Sequence, residues 1–139
     1  MAMSGITVDD EVGTVFQEMK LRREFRWAIF KIKDNKSVVL DTKATGDQGF
    51  TELYASLKES GEPRYALYDV PQELGVRSDK LVFLFWCLDS FSAPQKMIYA
   101  STKDTVKQVF TGLGSEILIS EDDAGYVQNE LIREAKKAE

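Results

Sequence analysis

Lys96-Met97-Ile98-Tyr99-Ala100-Ser101-Thr102-Lys103-Asp104, carried on to Phe110, decides how the chain is read. Wound at about 3.6 residues per turn, the stretch divides into two arcs. Ile98, Tyr99, Thr102, Val106, Val109 and Phe110 share the arc that a helix buries. Lys96, Met97, Ala100, Ser101, Asp104, Lys107 and Gln108 share the other, with Lys103 at the border. Met97 is the only large apolar side chain on the polar arc, and lysines lie beside it. Lone exposed apolar residues are common on protein surfaces. A flexible thioether among cations is nevertheless what a helix that docks on another protein presents.

Reading outward, Lys80 to Leu88 is the most hydrophobic segment and predicts a central strand. Pro94 is tolerated in the first turn of the helix that follows, and Gly112 and Gly114 end it. Upstream, Thr7 predicts an N-cap, with Asp10 as the acid of a capping box. Val8, Val12, Val15, Phe16 and Met19 recur at helical spacing to about Leu21. Phe25 to Lys33 and Ser37 to Lys43 read as strands joined by a turn at Asp34-Asn35-Lys36. Phe50, Leu53, Tyr54 and Leu57 describe a second helix, stopped near Gly61 and Pro63. Arg64 to Val70 is a third strand, Glu116 to Ser120 a short one, and Asp123 to Lys137 a last helix. The order α-β-β-α-β-β-α-β-α predicts an α/β (α+β) fold with a central mixed β-sheet flanked by helices on both faces. No repeat or linker divides the chain, so residues 1–139 read as one domain, with 1–6 as a flexible arm.

Composition narrows the function. The chain has 139 residues, a net charge of −5 and no histidine. Without histidine there is no Ser-His-Asp or Cys-His nucleophile and no imidazole switch near neutral pH. No paired cysteines suggest zinc, and no glycine-rich loop cradles phosphate. The sequence therefore predicts no metal, no cofactor and no catalytic residue. The runs Asp9-Asp10-Glu11 and Glu121-Asp122-Asp123 fall where helices begin, and there the helix dipole explains them. An acidic chain does not suit nucleic acid, and no apolar run approaches the ~20 residues that cross a bilayer. Cys87, the lone cysteine, forms no internal disulfide, fits a reducing compartment, and lies near a strand end as a point of artificial cross-linking.

The block KMIYASTKD at 96–104, ten residues after Trp86 in KLVFLFWCLD (80–89), closely resembles the actin-depolymerising factor/cofilin family. Ser4-Gly5-Ile6, the RYALYD segment from Arg64 to Asp69, and REAKK at 133–137 agree with that family in the expected order. The resemblance implies the ADF-homology (gelsolin-like) fold: a mixed sheet between two pairs of helices, the third helix long and bent near its serine. It implies a cytoplasmic, cytoskeletal monomer, not an enzyme. Such a protein binds ADP-actin monomers and filament sides and promotes severing and depolymerisation. The alternative is a non-severing relative that binds filaments or branch junctions.

Carried over by position, the monomer-binding residues are Ser4, Gly5, Lys96, Met97, Ser101 and Lys103. Arg77 and Lys80 match the filament-binding loop, and Arg133, Lys136 and Lys137 the filament-binding last helix. Ser4 matches a regulatory phosphorylation site, where added negative charge would repel actin. Phosphoinositides are implied as weak competitors for the same lysines. Relatives that sense pH through a histidine have no counterpart here. Three departures stand out. Pro94 replaces a cation two positions before Lys96, the connection from Pro71 to Asp79 looks short, and Arg133-Glu134 reverses a common Glu-Arg pair. These bear on filament affinity more than on monomer binding.

Overall fold

Alternating side chains in the middle strands build two cores at once. The computed structural model describes residues 5–22, 25–45, 47–71, 80–113 and 115–137. Its elements are β1 (Thr7–Val8), α1 (Asp10–Gln17), β2 (Trp27–Lys33), β3 (Ser37–Ala44), α2 (Phe50–Ser60), β4 (Arg64–Val70), β5 (Lys80–Trp86), α3 (Ala93–Val109), β6 (Glu116–Ile119) and α4 (Ala124–Lys137). The six strands form one sheet in the order β1-β3-β2-β4-β5-β6. β1 runs parallel to β3 and β6 parallel to β5, while the pairs between are antiparallel. The predicted mixed sheet is thus present.

Ala66, Tyr68 and Val70 of β4 and Val82, Leu84 and Trp86 of β5 point to one face. There they meet Leu53, Tyr54 and Leu57 of α2 and Val127, Leu131 and Ala135 of α4. Tyr65, Leu67, Phe83 and Phe85 point to the other face, against Val12, Val15 and Phe16 of α1 and Tyr99 and Val106 of α3. Strands buried on both faces read as continuous apolar runs, which is why RYALYDV and KLVFLFW lack a polar alternation.

The β2–β3 turn places Asp34 and Asn35 at φ of 54° and 55°, the left-handed region that a tight hairpin turn uses and short polar side chains tolerate. A register shift in this hairpin pairs Ile29 with Thr42 but Phe30 with Leu40, leaving Asp41 as an extra residue. A bulge of this kind re-aims a side chain, and Asp41 now accepts a bond from Arg64 Nε at 3.1 Å. Gly61, at φ 66°, ends α2 in a left-handed cap at the predicted place.

The first helix departs from expectation. Thr7 does not cap it: its N–H donates to the Lys36 carbonyl at 3.1 Å and it pairs with Ser37 in the sheet. Asp9 takes the N-cap position. The helix then loosens into a π-helical stretch, Glu18–Arg22, that extends the predicted span to its end. Ile6, expected within a flexible arm, is instead buried in the α1/α3 core.

Candidate actin-binding surface

α3 is fixed at its middle by bonds from the sheet. The Tyr65 hydroxyl, buried between Phe83, Phe85 and Tyr99, donates to the Tyr99 carbonyl at 2.5 Å. The Tyr99 hydroxyl in turn accepts the Ile32 N–H at 2.9 Å, a donor that the β2–β4 ladder, ending at Phe30, leaves over. Burial pushes both phenols above the usual tyrosine range, so both stay protonated well beyond neutral pH. Ser101 and Thr102 both donate to the Ile98 carbonyl, at 3.1 and 2.7 Å. Hydroxyls that bond back to helix carbonyls favour bending, and here two of them meet at one carbonyl beside the serine that the resemblance singled out.

The first turn is fixed as well. Gln95 donates to Glu62 at 3.1 Å, Glu62 pairs with Arg64 at 3.2 Å, and Arg64 reaches Asp41. Arg64 is the buried member, its side chain 8% exposed, and two carboxylates with the Pro63 carbonyl satisfy it. Burying a guanidinium is tolerable only with such partners. Pro94 sits within the first turn, where its missing N–H breaks no intrahelical bond.

On this fixed helix Met97 is 71% exposed. Tyr99, Thr102, Val106 and Phe110 are buried, and Ile98 and Val109 pack partly against them. The wheel's two arcs are therefore the two sides of α3. Ser101 is exposed. Lys96, next to Met97 in the chain, lies half-buried, and its Nζ donates to the Asp89 carbonyl at 3.1 Å. Lys103 is not an independent cation. It pairs with Glu116 of β6 at 3.5 Å, and Lys107 binds the same carboxylate at 2.5 Å. Burial alone would raise the Glu116 pKa, but the two lysines outweigh it and hold the carboxyl below its ordinary value. Sequence reasoning missed Glu116. Its only signal was the alternation of β6, which turns this residue toward α3.

Gly5 adopts φ 72° and is exposed, next to buried Ile6. Ser4 and Arg77, and the connection expected to be short, lie outside the described residues. Lys80 starts β5, half-buried and paired with Val70. Arg133, Lys136 and Lys137 are exposed on α4, where Arg133 pairs with Glu130 at 3.3 Å and Lys137 with Glu134 at 3.0 Å. Ser115, just before β6, reaches the Glu134 carbonyl at 3.5 Å. The end of α4 therefore lies at the end of the sheet where β5 and β6 begin, alongside Lys80. Met97 lies at the end where β5 finishes, on the other face. Cys87 is buried and burial raises its thiol pKa, so it does not invite the cross-linking expected of it.

A model of the family described as Cofilin/tropomyosin-type actin-binding protein matches residues 5–134. The chain belongs to the cofilin/ADF family. Among curated relatives, cofilin of Schizosaccharomyces pombe is 38% identical over 119 residues, 84% of this chain and 85% of that protein. Actophorin of Entamoeba histolytica is 33% identical over 138 residues, 96% of this chain and 97% of that one. The crystal structure of Streptomyces griseoflavus cofilin superposes with a TM-score of 0.83 at 30% identity, covering 96% of this chain and 98% of that one. The fold and family expected from KMIYASTKD are both confirmed. Membership makes this an actin-binding, cytoskeletal protein of the depolymerising-factor type. No described helix is long and apolar enough to cross a membrane.

Proposed function

We propose that this chain is one ADF-homology domain that binds ADP-actin monomers through α3 and filament sides through the opposite end of the sheet. Binding both promotes severing and depolymerisation. The observation that carries the reading is Met97, exposed on a helix whose position is set by buried hydroxyl bonds and flanked by cations. An apolar anchor on a pre-organised support loses little entropy on docking. Lys96, Ser101, Lys103 and the arm at Ser4 and Gly5 would surround it. Lys80, Arg133, Lys136 and Lys137, with Arg77, would meet a neighbouring subunit. A ligand that fits one subunit arrangement better than another shifts the filament by that difference in affinity, and no bond chemistry is needed. The cofilin and actophorin relatives favour this over a non-severing module.

Ser4 would act as a switch, since a phosphate there adds roughly −1.5 to −2 charges to a contact built on cations. Phosphoinositide headgroups would compete weakly for the same lysines, and the protein would act as a monomer in the cytoplasm. The test pairs titration of fluorescently labelled ADP-actin monomers with filament length followed by microscopy at several protein-to-actin ratios. Saturable monomer binding and falling filament length support the reading. Monomers that titrate without response overturn it.

A further inference from the structure

Lys96, Ala100, Lys103 and Lys107 form one row along α3, spaced as neighbours on a helix face. β6 runs beside that row. Glu116 at its start holds Lys103 and Lys107. Ser120, just past its end, accepts the Asp89 N–H at 2.9 Å, and the Asp89 carbonyl takes Lys96 Nζ at 3.1 Å. Between these two ties the strand alternates. Ile117 and Ile119 turn into the α2/α4 core. Glu116 and Leu118 turn to the α3 side, and Leu118 is paired with Phe85, which belongs to the α3 core.

Two strand residues advance about 6.6 Å, or roughly four residues of helix. From Glu116, opposite Lys103 and Lys107, that step brings Leu118 level with Ala100, one turn from Met97. Leu118 is 63% exposed. The large apolar side chains exposed among the described residues are Leu21, Met97, Leu118 and Tyr126. Two of these four therefore bracket Ala100, itself exposed, with Lys96 toward one end and Lys103 and Lys107 toward the other.

We infer that Leu118 is a second apolar contact for the same actin monomer that covers Met97. The docking surface is then a bar running from the α3 ridge across Ala100 onto the sheet edge, not a single knob. This rests on the α3 reading above. The occupant follows from continuity, because a partner seated on Met97 and Ala100 has Leu118 at its margin. It follows also from charge, because Lys96 stands toward one end of the bar and Lys103 and Lys107, which outnumber their shared Glu116 by one charge, toward the other, and a partner groove with acidic rims suits that pattern.

The test is titration of labelled actin monomers with Leu118→Glu, Leu21→Glu and Met97→Asp. Leu118→Glu is expected to weaken binding about tenfold, as loss of a flanking apolar contact does. Its thermal midpoint should not move, since the side chain lies mostly in water. Leu21→Glu, an equally exposed leucine beyond α1, is expected to bind like the parent. Parent-like binding by Leu118→Glu while Met97→Asp loses binding overturns this inference and leaves the α3 reading standing. Parent-like binding by both overturns the α3 reading and this inference with it. Equal losses in the two leucine variants also overturn it, because any exposed leucine would then suffice.

Discussion

The N-terminal half of α3 and the last turns of α4 both present cations, but they are built differently. Around Met97 the support is long-range: Tyr65 to Tyr99, Ile32 to Tyr99, and Gln95 through Glu62 and Arg64 to Asp41. On α4 the pairs Arg133–Glu130 and Lys137–Glu134 are local, three residues apart and exposed. Such pairs are worth well under about 1 kcal/mol and fix little. One region is a shaped surface and the other a set of exposed charges with only local partners. Shape discriminates at short range, whereas loose charge steers approach and yields to salt. The two lie on opposite faces and at opposite ends of a seven-residue strand, roughly 20 Å apart along the sheet. That separation suits contact with two neighbouring subunits.

The sharpest way to break this contrast is Met97→Asp. If α3 is the shaped region, monomer binding should fall by about 2 kcal/mol or more, nearly to nothing in a fluorescence titration. An unchanged affinity would remove the contrast altogether. Tyr65→Phe sharpens it next. The variant keeps the ring and deletes the bond to the Tyr99 carbonyl, so calorimetry should show a loss of about 1 kcal/mol and a midpoint lower by roughly 4 °C. Monomer affinity should fall with it. A stability loss without an affinity loss would mean that this tie serves the fold alone.

Lys136→Ala combined with Lys137→Ala probes the other region. Filament co-sedimentation should weaken several-fold at low salt, with the difference shrinking as salt rises, while monomer titrations stay as they were. A salt-independent loss would show that α4 is shaped too.

Glu116→Gln should have the smallest effect. It releases Lys103 and Lys107 from their shared carboxylate and should tighten monomer binding about twofold at low ionic strength. It also changes the acid response. The Glu116 pKa is lowered on folding, so its stabilisation is present above its ordinary value of 4.5 and is lost as pH falls through the lower folded value. Melting curves of Glu116→Gln should therefore depend less on pH than the parent's below about 4.5. Near pH 7, with no histidine to titrate, both should be flat.

What could be read in advance followed pattern length. Seventeen helical residues from Ala93 to Val109 carry several turns of signal, so Met97's outward direction was legible. β1 is two residues long and holds no period, which is why Thr7 looked like a cap rather than a rung of the sheet. The pairing of Lys103 and Lys107 with Glu116 depends on the register of β6 against β5, a relation between distant segments that no local window contains. The Asp41 bulge was hidden for the same reason, since one extra residue in a hairpin changes no local composition. The order of the longer elements already implied a mixed sheet between helices, and the family resemblance added the pairing of helices on each face that these short patterns could not.

The shielded sulfur of Cys87 has a practical consequence. A fresh thiol installed by Ser101→Cys or Lys136→Cys would react with maleimide dyes far ahead of the native one. Either region could then carry a single fluorophore without first deleting the endogenous cysteine.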